Sequence, residues 1–65
     1  MPTITSRSYA ETHEATAREL RRALTILRRA LSTQGEYEWA GTITEAIESV
    51  ATAAEGCERY ARVKS

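Results

Sequence analysis

The sequence predicts an all-α protein: an antiparallel two-helix hairpin that assembles into a homo-oligomeric helical bundle. Three observations predict it. Helix-favouring Ala, Glu, Arg and Leu supply much of the chain, with three Gly, one Pro and no Phe. Two apolar seams recur at steps of three and four residues, the spacing that keeps side chains on one helical face. Finally, 65 residues are few. A domain of that size buries only about 60% of its unfolded surface, so a lone core is marginal. Disulfides cannot compensate, because Cys57 is the one cysteine, and with His13 the one histidine a structural zinc set stays unfilled. Self-association remains.

Residues 1–7 are polar and aperiodic and read as a flexible N-terminal arm; the hairpin takes residues 8–63. Ser8 and Glu11, three apart, form a capping box that starts the first helix, about 8–33. Its seam is Ala10, His13, Ala17, Leu20, Leu24, Leu27 and Leu31. Ser32-Thr33-Gln34-Gly35 ends it, with Gly35 suited to a left-handed C-terminal position. A turn at about 34–36 leads to a second helix, about 36–62, with the seam Trp39, Ile43, Ile47, Val50, Ala54, Cys57 and Ala61. Thr42 and Glu45 form an alternative capping box after Gly41, but the earlier start keeps Trp39 on the face of Ile43. So short a turn makes the helices antiparallel neighbours.

Both helices carry more apolar surface than one partner helix needs. Ala40, Ala46, Ala51 and Ala53 flank the second seam; Ala23, Ile26 and Ala30 flank the first. Two helices alone would leave these faces wet. Leu20, Leu24, Leu27, Leu31, Ile43, Ile47 and Val50 are therefore expected to form the oligomer seam, and Cys57 to be a buried, inert thiol.

Nine basic residues, eight of them Arg, balance nine Glu. A neutral total argues against a double-stranded nucleic-acid binder. The charges are nevertheless segregated. Arg18, Arg21, Arg22, Arg28 and Arg29 lie on the first helix; Glu38, Glu45, Glu48, Glu55 and Glu58 lie on the second. Arg18, Arg22 and Arg29 share the side opposite the leucines. The plainer reading is a solvated face with interhelical Arg–Glu pairs, each contributing about 0–1 kcal/mol. The sharper reading is an anion site, because guanidinium groups grip phosphate in a bidentate manner and an oligomer gathers several of them. Tyr9, Tyr37 and Trp39 supply rings that seal the bundle ends or stack on bases.

Catalysis is not expected. The chain has no Asp for a Ser–His–Asp set and no Gly-rich phosphate loop. Glu11, His13 and Glu14 lack the Glu-x-x-His spacing of di-iron bundles, and His13 on an apolar seam is the ordinary place for an interface histidine. No catalytic residue, metal ligand or cofactor is assigned. No apolar run approaches about 20 residues, so no membrane span is expected. No signal peptide is visible, and the expected compartment is the cytoplasm.

The stretch Gly35-Glu36, Trp39-Ala40-Gly41-Thr42 and Glu45-Ala46, with Ala51, Ala53 and Ala54 beyond, resembles the hairpin of phage anti-CBASS and anti-Thoeris proteins that sequester cyclic oligonucleotides. Glu36, Ala40, Thr42 and Glu45 fit that family's turn and its Ala-x-Thr-x-x-Glu pattern; the turn Arg and a bulky aromatic near Val50 are absent. The resemblance implies a homo-oligomer that holds a signalling nucleotide between protomers without cleaving it, or that captures a host partner. Trp39-Ala40-Gly41 also resembles the Trp-x-Gly turn of small secreted helical hairpins, although Lys64 stands four residues after Tyr60 where their export signal has an acid. The competing expectation is a structural or adaptor oligomer with no small ligand.

Overall fold

The computed structural model describes residues 8–64; the expected arm, residues 1–7, lies outside them. Two helices, α1 (Tyr9–Gln34) and α2 (Ala40–Lys64), pack against one another as a hairpin, and no strand occurs among the described residues.

The start of α1 is the capping box expected from Ser8 and Glu11. The Glu11 backbone N–H donates to Ser8 Oγ and the Ser8 N–H donates to Glu11 Oε1, both at 3.1 Å. Two of the donors that a helix leaves unpaired at its first turn are thus satisfied. The other end differs from expectation. Gly35 does take a positive φ, 67°, but its ψ is −125°, outside the left-handed helical region. That combination belongs almost wholly to glycine, because a Cβ would meet the backbone. Its N–H still donates to the Leu31 carbonyl at 2.9 Å. Gly35→Ala should therefore destabilise the hairpin by about 1–2 kcal/mol through backbone strain alone, since the space around the missing Cβ is empty. Thermal or urea unfolding measures it.

The turn is longer than 34–36, and α2 begins at Ala40 instead of Glu36 or Thr42. Residues 35–39 form the connection. The Tyr37 N–H donates to the Gln34 carbonyl at 3.3 Å and the Ala40 N–H to the Tyr37 carbonyl at 3.1 Å. Two successive tight turns thus consume residues that the seam pattern assigned to helix. Trp39 then acts as the N-cap: its carbonyl accepts the first helical bond, from the Ile43 N–H at 3.0 Å.

The core of the hairpin is small. Among the described residues, Ala17, Leu24 and Ala54 are the buried hydrophobic ones, and Leu24 is the one large side chain that loses all contact with solvent. The Cα trace measures 47 × 28 × 13 Å. Thirteen ångströms is the thickness of a single helical layer, whereas stable domains stack two or more layers around a core. The remaining expected seam residues, Leu20, Leu27, Leu31, Ile43, Ile47 and Val50, are half-buried between the helices. Leu24 belongs to the core of the hairpin itself, because it sits on the line where α1 meets α2. Cys57, expected to be buried, is also half-buried.

Candidate functional site

Helical geometry sorts the residues beside the buried line into two broad sides. At about 100° per residue, Leu20, Ala23 and Leu27 fall to one side of the Ala17–Leu24 line, and Glu14, Arg21 and Arg28 to the other. On α2, Ala46, Val50 and Cys57 fall to one side of Ala54, while Ala51, Glu58 and Arg62 fall to the other. Two contacts show which flanks belong together. Arg21 and Glu58 meet across the helices, and so do Tyr9 and Tyr60. One side of the layer is therefore charged and the other largely apolar.

On the charged side, Arg21 Nε donates to Glu58 Oε2 at 3.0 Å and its Nη2 donates to Glu58 Oε1 at 2.9 Å. This two-point geometry is the strong form of an Arg–carboxylate contact. The hydrogen bond from Arg21 lowers the Glu58 carboxyl pKa, and the bond to Glu58 raises that of Arg21. This is one of the interhelical Arg–Glu pairs that the segregated charges of the two helices predict. Beside this pair lies an open groove of about 350 Å³, lined by Glu14, Ala17, Arg18, Arg21, Glu58, Ala61 and Arg62. Alanines form its floor and three guanidinium groups stand around it. Sequence reasoning missed Arg62 as a member, because only the register of the hairpin brings the end of α2 next to Arg18.

The expected phosphate contacts are spread out. Arg18 reaches the groove. Arg22 pairs with Glu19 on its own helix at 3.3 Å, with both side chains about 70% exposed, so that pair contributes little. Arg29 is exposed on the outer edge of α1, about 16 Å beyond Arg18 at 1.5 Å per residue. The aromatics are divided as well. Tyr9 packs against His13, centroids 4.2 Å apart, and both meet Tyr60 edge-on at the terminal end. His13 Nδ1 lies 2.8 Å from the Tyr9 carbonyl oxygen. Tyr37 and Trp39, 78% and 59% exposed, stand at the turn, the whole length of α1 away. Within one protomer, Tyr9 cannot act with Tyr37 or Trp39.

No family model, curated protein or solved structure matches this chain. Of the residues that carry the sponge-protein resemblance, Glu36 lies in the connection, Ala40 opens α2, and Thr42 and Glu45 are exposed on its first turns. Among the described residues, no group of three His, Cys, Asp or Glu is placed to hold a metal ion, and no helix is long and apolar enough to cross a membrane.

Proposed function

We propose that this chain is a non-catalytic, homo-oligomeric binding module that holds a phosphate-bearing ligand, with cyclic nucleotides as the first class to test. The observation that carries the proposal is the two-sided layer. One side is apolar and half-buried on a hairpin in which Ala17, Leu24 and Ala54 are the buried hydrophobic residues among those described, and the other displays arginines beside an alanine-floored groove. The apolar side is what a second copy would cover; the arginines are what an anion would meet. Arg21 is engaged by Glu58, so Arg18 is the principal phosphate contact, with Arg22 and Arg29 extending the basic edge of α1.

Native mass measurement with calorimetric titration against cyclic di- and trinucleotides tests both halves. The expected results are a mass above that of the single chain at micromolar concentration, and saturable binding. Arg18→Ala should then weaken binding ten- to a hundred-fold, about 1.5–3 kcal/mol, with little change in helicity. An oligomer that binds none of these compounds would instead be a structural or adaptor assembly.

A further inference from the structure

A second hollow adjoins the groove on the charged side. The groove holds about 350 Å³; its neighbour holds about 310 Å³ and is lined by Ala10, Glu11, Glu14, Ala61 and Arg62. Glu14, Ala61 and Arg62 line both. The two therefore form one trough that follows α1 from Ala10 to Arg21, about 16 Å at 1.5 Å per residue. Ala10, Ala17 and Ala61 are its small residues, and the rest are charged.

The sign of the charge reverses along the trough. In the main hollow three arginines, Arg18, Arg21 and Arg62, stand with two glutamates, Glu14 and Glu58, and one positive charge is left over. In the second hollow two glutamates, Glu11 and Glu14, stand with one arginine, Arg62, and one negative charge is left over. The carboxylates also differ in what already occupies them. Glu58 is held at two points by Arg21, and Glu11 Oε1 accepts the Ser8 N–H. Glu14 is exposed, and its side chain makes no ion pair or hydrogen bond among the described residues.

We infer, resting on the phosphate-holding role proposed above, that Glu14 makes the trough selective for nucleotides whose phosphate is a singly charged diester and against those with a terminal phosphate. A diester brings one negative charge, which the surplus of the main hollow matches. Glu14, an acceptor with no donor, then takes a ribose hydroxyl or an exocyclic amine beside it. A terminal phosphate brings about −1.5 to −2 at pH 7. Its second charge exceeds that surplus and lies against Glu14 or in the negative hollow, where like charges repel. A plain basic patch would do the opposite, since it holds the more highly charged phosphate more tightly. Cyclic oligonucleotides contain only diesters; their opened, 5′-phosphorylated forms do not.

Cyclic AMP and AMP are the matched probes, because they share base and sugar and differ in the phosphate, a ring diester against a terminal monoester. Calorimetric titration of the full chain is run at low ionic strength, where exposed charges are least screened. Wild type should bind cyclic AMP about fivefold more tightly than AMP. Glu14→Gln keeps an acceptor oxygen and removes the charge. It should leave the affinity for cyclic AMP within about twofold and tighten AMP about fivefold, which erases the preference. Unchanged AMP affinity in Glu14→Gln, or a wild type that prefers AMP, overturns the selective role of Glu14 while leaving the phosphate site intact. Silence of both nucleotides on wild type also overturns that role, and silence of the cyclic di- and trinucleotides as well overturns the phosphate site itself.

Discussion

Leu24→Glu should leave the chain unfolded at micromolar concentration. Leu24 is fully buried, the one large side chain with no solvent contact among the described residues. Truncating such a leucine to alanine costs about 2–5 kcal/mol, and a carboxylate there adds the penalty of an unpaired charge in apolar surroundings. A core of this size rarely supplies more than about 3–5 kcal/mol in total. The expected readout is loss of the helical circular dichroism signal together with loss of any oligomer. Leu24→Met, which conserves volume, should cost less than about 1.5 kcal/mol and keep both. Retention of full helicity by Leu24→Glu would mean that the helices do not pack along the Ala17–Leu24–Ala54 line.

Leu27→Glu should act differently, by separating copies. Leu27 is half-buried on the apolar flank beside that line, where a carboxylate can stay hydrated in a single hairpin but not under a second copy. The expected change is about 3 kcal/mol in association, roughly a hundred-fold in Kd. Because folding and association are linked by mass action, helicity should recover as protein concentration is raised. Sedimentation and circular dichroism over a concentration series measure it. Equal dimerisation of Leu27→Glu and wild type would show that the apolar flank is not the contact surface. The sequence pattern places both leucines on one seam; their different environments distinguish the two experiments.

Much of α1 is legible in the sequence because its determinants are local. The Ser8–Glu11 capping box joins residues three apart, and the seam repeats within each turn, so both follow from side-chain chemistry and the 3.6-residue period. The hairpin follows too, since two apolar seams separated by a few turn residues pack side by side with little alternative. The candidate site was legible only as a set of residue types. Charge segregation marks Arg18, Arg22 and Arg29, and Glu19 three residues before Arg22 marks their pair locally, but only the register of the hairpin puts Arg18 at the groove.

By itself, then, the sequence determined the all-α class, the start of α1 and the two apolar stripes. Tertiary structure decided the rest. It set the start of α2 at Ala40, because the chain reverses through two successive turns after Gly35 and leaves Trp39 as the cap. That five-residue connection sets the register of one helix against the other. Register brings Glu58 to Arg21, gathers Arg62 with Arg18 around one groove, and divides each stripe into buried line and open flank. The physical reason is range: a helix is closed by bonds four residues apart, whereas the Arg21–Glu58 contact spans 37 positions and depends on every dihedral of the connection between them.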